Sequence, residues 1–464
     1  MILMLAVRSL RSRPVRSAVL AGGFGLGVAV MAALLGVAAV VLEQARAPEL
    51  IGGGDAIIGG AAGRLPNARF ALSAVLGDGP LAPRVAVAAP TAQATLYLID
   101  ERGATPVRAR GGIPSLERAL HDPETSGAEF WTDTPADRGW ARPDPEDVLR
   151  AMDRFHPIPD VPARAASWAE WLYFNGRSDD AGFYLTFLAG PRLASGRRVV
   201  GVRLQLDRGG RMTSYSDSME VNEAELLGMA PDLTVGKSRV RLVGREYRVS
   251  IDLPAEAGST RASGDLVIHA TPGRSLPPLA IRGASGWVSG YVVPVMSGAL
   301  QGSIRVANDR VEFDGGVGYH DHNWGFWEGV SWQWGQVQGD GLSFVYGHVY
   351  PPADAADASR VPAFLMALGP EGPMGYTTDV TIAETNRAGT DAPERIRVRG
   401  RSDSLDLTLD LDVAQTAVTR SRPGAFGAKL NVLQLRARYH VVGRVAGTAI
   451  DLTAAGSAET FRGR

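Results

Sequence analysis

The chain has 464 residues, more than one ordinary core can organise, so two or three domains are expected. Its 48 basic and 49 acidic residues nearly cancel, which leaves no basic footprint for nucleic acid. It has no cysteine, which excludes disulfides, thiolate nucleophiles and Cys-based zinc sites, while 56 glycines and 29 prolines suit an all-β protein with many turns.

Residues 17–42 are 26 positions without a charged side chain. At ~1.5 Å per residue such a helix crosses a hydrocarbon core of about 30 Å with some tilt. Arg8, Arg11, Arg13 and Arg16 precede it, and Glu43, Glu49 and Asp55 follow. The positive-inside bias then predicts a single-pass anchor in the inner (plasma) membrane, with a cytoplasmic N-terminus and the bulk of the chain extracytoplasmic, that is, periplasmic. Ala45-Arg46-Ala47 has the form of a signal-peptidase site. The apolar run is longer than a signal h-region and Pro48 follows, so an uncleaved anchor is favoured. Gly23 and Gly27, like Ala32 and Gly36, are spaced to permit helix pairing. The run LAVRSLRSRPVRSAVLAGGFGLGVAVMAALLGV with LEQARAPELIGGGDAIIGG resembles the start of FtsX/MacB-type ABC transporter permeases over about 60 residues. That resemblance implies the same topology and ABC transporter subunits as partners.

Residues 46–160 are read as an extracytoplasmic linker region with short elements. Residues 84–99 alternate loosely and suggest two strands around Pro90. Residues 113–120 suggest a short helix led by Pro114, and 121–145 read as loop. Residues 145–155 fit a helix with Val148, Leu149, Met152 and Phe155 on one stripe, and PIPDVPARA reads as a linker at a domain boundary.

Strand follows strand beyond it. A first barrel is placed at 161–278: strands at 170–174 and 182–188 around an Asn175-Gly176 turn, then 198–207, 238–242, 247–253 and 264–270. A second is placed at 279–464: 287–295, 298–306, 310–313, 331–338, 342–350, 363–368, 396–399, 405–413, 434–442 and 444–454. The fold class is therefore mainly β, two tandem antiparallel barrels after an N-terminal transmembrane helix.

Residues 318–350, GYHDHNWGFWEGVSWQWGQVQGDGLSFVYGHVY, hold nine of the chain's 33 aromatic residues and three of its seven histidines. If 319–324 is extended, Tyr319, Asp321 and Asn323 share one face and His320, His322 and Trp324 the other. A metal site would use His320 and His322 with a third ligand such as His348. An acid–base site would use Tyr319 and Asp321, with burial raising the carboxyl pKa. A third possibility is structural, with the imidazoles hydrogen-bonding across strands. Trp332 and Trp334 precede a hairpin at 338–342, and Phe344, Tyr346 and His348 alternate after it, as in the wall of a core or cavity.

FDGGVGYHDHNWG resembles the signature of the hydroxyneurosporene synthase (carotenoid 1,2-hydratase) family and its AttH-like relatives. WLYFNGRSDDAGFYLTF, GYVVPVMSGALQGSIRV and AAGSAETFRGR fit the same family, so the likeness spans about residues 144–464. It implies two lipocalin-like barrels side by side with an apolar pocket, and hydratases that add water to an isolated terminal alkene. Carried over, Asp321 is the acid and Tyr319 its partner. Trp287, Trp332 and Trp334 are then cation–π walls, worth about 0.5–2 kcal/mol per good contact. Tyr291, His320, His322, Asn323, Trp324, Phe344, Tyr346 and His348 complete the candidate ligand contacts. No metal and no cofactor is expected. Two functions follow. One is a membrane-anchored lipocalin-like protein binding an apolar lipid, isoprenoid or polyene as accessory to an ABC export system. The alternative is a hydro-lyase or cyclase acting on a carotenoid-like polyene.

Overall fold

The computed structural model describes residues 54–58, 65, 68–76, 82–100, 103–122, 130–141, 143–178, 181–229, 231–271, 273–370, 372–420 and 430–463. The expected span at 17–42 lies outside these. Among the described residues no helix is long and apolar enough to cross a membrane. Internal contacts divide the chain into one unit of residues 1–65 and 87–141 and another of 66–86 and 142–464, the latter taking in helix α1 (Ala68–Leu76).

In the first unit, β1 (Thr91–Asp100) pairs antiparallel with β2 (Gly103–Gly112). Residues 84–99 thus give one strand rather than two, because Pro90 has no N–H for a ladder and the strand begins after it. Helix α2 (Pro114–Ala119) carries Pro at its first position, as its sequence asks. Its Glu117 is buried and meets Arg110 at 3.2 Å. The stretch read as loop contains α3 (Pro135–Ala141). Its start is a reciprocal cap: Asp137 Oδ2 accepts from the Thr134 N–H and hydroxyl at 2.7 and 2.8 Å, and Thr134 Oγ1 accepts from Asp137 N–H at 3.3 Å.

The second unit begins its barrels with α4 (Pro145–Met152), capped by Asp144 and burying Val148, Leu149 and Met152. The boundary expected near residue 160 therefore falls before 142. Contact of α4 with the strands, made by its apolar stripe, carries the helix and the Pro-rich linker into the barrel unit. Then follow β3 (Trp168–Arg177), β4 (Ala181–Arg192), β5 (Arg197–Arg208), β6 (Arg211–Asn222), a short helix α5 (Glu223–Gly228), β7 (Leu233–Val235), β8 (Ser238–Val243), β9 (Glu246–Pro254), β10 (Arg261–His269), β11 (Leu276–Arg282), β12 (Val288–Val306), β13 (Asp309–Glu312) and β14 (Gly316–Phe326). These make one sheet, ordered β6-β5-β4-β3-β14-β12-β10-β9-β8-β7, with β11 and β13 on β12. Its β6 end meets the segment after β9 through a Tyr215–Ala255 bridge and a Glu256 N–H to Ser214 carbonyl bond of 2.9 Å.

The second sheet comprises β15 (Ser331–Gly339), β16 (Leu342–Tyr350), β17 (Phe364–Gly369), β18 (Gly372–Thr377), β19 (Asp379–Asn386), β20 (Pro393–Ser402), β21 (Leu405–Arg420), β22 (Leu430–Val445) and β23 (Thr448–Gly463), ordered β18-β17-β16-β15-β23-β22-β21-β20-β19. The Thr377 hydroxyl donates to the Arg401 carbonyl where its ends meet. The molecule is mainly β, with two nearly closed antiparallel barrels.

Pairing redraws two expectations. The division between barrels falls between 326 and 331, not at 278, because β12 and β14 pair with β10 and β3. The HDHNWG stretch thus belongs to the first barrel. Asn175-Gly176 is no turn: both lie inside β3, and the chain reverses between Ser178 and Ala181. A Cβ on Gly176 would come within 2.5 Å of Leu300 and 2.7 Å of Phe183, so this glycine serves close packing.

Each barrel also has, in one long strand, a positive-φ glycine opposite a leucine: Gly302 (φ 108°) opposite Leu266, and Gly443 (φ 137°) opposite Leu407. At both, a Cβ would lie 2.1 Å from a backbone oxygen of the partner strand. Gly302→Ala and Gly443→Ala are each expected to destabilise by about 1–3 kcal/mol, read as a lowered urea midpoint. Midpoints equal to wild type would show that these positions do not need glycine.

Candidate functional site

Side chains leave β14 alternately, and the two sets meet different surroundings. His320 and His322 pair in register with Phe174 and Leu172 of β3 and enter the first barrel's core. Asp153, just past α4, receives them: His320 Nε2 lies 2.9 Å from Oδ2 and His322 Nδ1 2.8 Å from Oδ1. His322 Nε2 lies 2.9 Å from Glu170 Oε1, which also meets His156 Nδ1 at 2.7 Å. The Tyr247 hydroxyl donates to Asp153 at 2.8 Å. Phe174 stacks on His320 and Trp324 on His156, each at 4.1 Å. Burial alone would raise Asp153, but the attraction of His320 and the hydrogen bonds of both imidazoles hold it at about 2. Burial alone would lower His322, but hydrogen bonds to Asp153 and Glu170 push it up to about 9. His156, Glu170 and His322 each bring a ligand atom within 4.8 Å of the others, a donor set suited in kind to a divalent metal. Here those atoms are engaged with one another, Glu170 Oε1 lying between the two imidazoles, while Asp153 holds the other side of His322.

Tyr319, Asp321 and Asn323 point the other way, with Asn175, Tyr173 and Trp171 of β3 beside them. Against them lies a face of the second sheet. Trp332, Trp334 and Gln336 of β15 stand in register with Phe461, Glu459 and Ser457 of β23. The Trp334 indole donates to the Tyr319 hydroxyl at 2.9 Å. Tyr173 donates to Gln434 Oε1 at 3.1 Å, and Gln434 Nε2 donates to Glu459 at 2.8 Å. Trp332 Nε1 donates to the other oxygen of Glu459 at 2.9 Å. Trp171 packs on Trp332 at 5.6 Å, and Tyr291 packs on Trp334 at 5.0 Å and on Phe364 at 5.5 Å.

This seam holds two buried carboxyls. Glu459 is pushed up to about 7 by burial, against the lowering effect of its donors Gln434 and Trp332. Asp321, 1% exposed, is raised well above the carboxylate range by burial first and by the charge of Glu459 second. Its Oδ1 accepts from Asn323 Nδ2 at 2.7 Å. The Tyr319 phenol adjoins the carboxyl, yet Oδ2 has no hydrogen bond of ordinary geometry. Burial and the charge of Glu459 leave Asp321 the better holder of a proton, while the well-formed bonds from Gln434 and Trp332 favour charge on Glu459. Tyr319 itself stays a neutral phenol, raised by burial and by Asp321.

The expected site residues thus separate. Asp321, Tyr319, Asn323, Tyr291, Trp332 and Trp334 meet in the seam. His320, His322 and Trp324 serve the first barrel's interior. Phe344 and Tyr346 lie on the opposite face of their sheet from the tryptophans: Tyr346 pairs with Gly335 and Phe344 with Val337, so both fill the second barrel's core. His348 pairs with Gln333 on that same face, its Nε2 2.9 Å from the Val361 carbonyl. Trp287 is buried in the first barrel with its indole donating to the Phe326 carbonyl at 3.0 Å. Sequence reading missed Glu459, Gln434 and Asp153. The signal for Glu459 and Glu170 was a lone carboxylate inside an apolar strand, AETF and WAEWLYF.

No family model and no curated protein matches this sequence. Among solved structures it is similar to a protein described as AttH-like from Nitrosomonas europaea, with 15% identity over 66% of this chain and 99% of that one and a TM-score of 0.43. It is also similar to CghA, solved with Sch210972 (12% identity, 67% and 94% coverage, TM-score 0.39). Kievitone hydratase from Nectria haematococca is a third (10% identity, 66% and 93% coverage, TM-score 0.41). None of these likenesses bears on the permease-like opening. At such identities they say nothing of the reaction, which must be argued from the side chains.

Proposed function

We propose that the seam between the barrels protonates an isolated alkene of an apolar, polyene-like ligand, as a hydratase or cyclase does. The observation that carries this reading is Asp321: a buried carboxyl that burial keeps protonated, with one oxygen beside the Tyr319 phenol but in no hydrogen bond of ordinary geometry. An acid proton not tied into a well-formed hydrogen bond is what a weakly basic double bond needs beside it. Transfer of that proton to one alkene carbon leaves a tertiary cation on the other. Trp332, Trp334 and Tyr291 are the aromatic rings of the same seam that would stabilise that charge. In hydration, water adds its oxygen to the cation and gives a proton to Glu459 as base, and Glu459 then releases that proton to solvent as solvent reprotonates Asp321. The net change is one water added across one double bond. The test is incubation with lycopene, whose ends are isolated trisubstituted alkenes, in oxygen-18 water. Mass spectra should show a product heavier by one labelled water; recovery of unchanged lycopene and of no isomer would sink the reading.

This assignment sets a pH profile. Glu459 must be a carboxylate to take water's proton, so the rate should fall as pH drops through about 7. Glu459→Gln should slow turnover and flatten that limb. An unchanged acidic limb in Glu459→Gln would place the base elsewhere.

A second reading has the same seam hold an apolar ligand without converting it, in a single-pass membrane protein partnering ABC export subunits on the periplasmic side. Its support is the uncharged stretch 17–42, which would keep the seam near a bilayer from which an apolar ligand can arrive. Release of the full chain from membranes by alkaline carbonate would count against the anchor.

A further inference from the structure

At the end of the seam beyond Tyr319, a cleft of about 290 Å³ opens between the barrels, lined among others by Asn175, Arg177, Ser178, Asp314 and Gln338. A second recess shares Arg177 and adds Asp207 and Arg436. Arg177 is half-buried and its guanidinium makes no hydrogen bond or ion pair among the described residues. The nearby carboxylate is already committed: Asp207 Oδ2 accepts from Arg436 at 2.8 Å and Oδ1 from the Gly210 N–H at 3.1 Å. Burial works against the Arg177 charge and Arg436 adds repulsion, with partial relief from Tyr184 and Asp207. Asp314 is exposed at the rim, and its Oδ1 accepts from the Gly302 N–H at 2.6 Å. Asn175 is 7% exposed and its Nδ2 has no acceptor of ordinary geometry. A cation short of a counter-ion and a buried N–H donor thus line one cleft, and both lack what an anion supplies.

The register sets the distance to the acid. Arg177 faces Val317 across the ladder, four residues before Asp321 on β14, or about 13 Å of strand. Asn175 faces Tyr319 between them. We propose that the ligand is a single-chain amphipath whose anionic head, a carboxylate or phosphate monoester, binds Arg177 and Asn175 in this cleft while its unsaturated chain runs inward to Asp321. The inference rests on the seam being the apolar-ligand site and adds the charge at the ligand's outer end.

The test uses the full chain with cis-parinaric acid, a fluorescent polyene carboxylic acid, and its methyl ester. Wild type is expected to prefer acid over ester by about tenfold or more, the scale of one charge-assisted contact. Arg177→Met should abolish that preference with ester affinity intact, and Arg177→Lys should keep part of it. Octadecyl phosphate should displace the acid at comparable concentration, whereas inorganic phosphate should not. Equal binding of acid and ester by wild type, or an unaltered preference in Arg177→Met, would overturn the anionic head while the apolar seam stands. Displacement by inorganic phosphate at the acid's own concentration would overturn the amphipath in favour of a free anion. Failure of wild type to bind either probe would overturn the seam as a ligand site, and this inference with it.

Discussion

Asp321→Asn is expected to lower turnover of a hydratable polyene by about 10²–10⁴-fold, the usual contribution of a positioned general acid, while leaving binding nearly unchanged. The amide keeps the shape of the carboxyl and can still accept from Asn323 through Oδ1, but it has no acidic proton to give. Because Asp321 is neutral in its buried setting, the exchange removes no buried charge, and the melting temperature should stay close to wild type. Single-turnover kinetics and ligand titration on the same preparation separate the readings. Lost turnover with intact affinity supports the acid. If no preparation turns the ligand over and the variant binds as wild type does, the seam is a binding site without chemistry. A collapse of stability would mean that Asp321 serves the packing of the barrels.

What could be read from the residues, and what could not, follows from the range of the forces involved. Period-two alternation is local, so β16 and most strands of both sheets stand where the pattern places them. The separation of Asp321 from His322 is equally local, because one residue of register reverses the face. Partner strands are a different matter. Nothing near residues 288–326 announces that β12 and β14 belong with β3 rather than with β15, since both faces of β14 are buried and its pattern suits either barrel. Phe344 and Tyr346 looked like neighbours of Trp334 for the same reason: alternation gives a parity within each strand, and only the pairing of Gly335 with Tyr346 ties one strand's parity to the next. Glu459 and Asp153 approach residues 138 and 169 positions away in sequence, by closure of long loops that no short window records. The Asn175-Gly176 turn failed through a competing role of glycine, close packing against Leu300 and Phe183, which a dipeptide cannot distinguish from a reversal.

Asp153→Ala should cost about 3–5 kcal/mol of stability at pH 6, the range found when one partner of a buried charge pair is removed. The loss has a structural reason. Among the described residues Asp153 carries the only carboxylate that meets His320, His322 and Tyr247 together, and it lies where the chain leaves α4 for the barrel wall. Without it the His322 imidazolium keeps Glu170 alone, two buried groups lose an acceptor, and the apolar stripe of α4 is left less firmly seated. The pH dependence of wild type carries the signature of the same network. His322 is raised from 6.5 to about 9, so its contribution is complete below about 6.5 and disappears as pH climbs through 9. Asp153 is lowered from 3.8 to about 2, so its contribution is complete above about 4 and disappears as pH falls through 2. Both are in force between about pH 4 and 6.5, so the difference in urea midpoint between wild type and Asp153→Ala should be largest there. Asp153→Ala should flatten the decline on the alkaline side, because His322 then has one carboxylate fewer to hold its proton. A wild-type midpoint that stays level from pH 6 to 9 would mean that His322 is neutral in the fold and that the two carboxylates are held by other means.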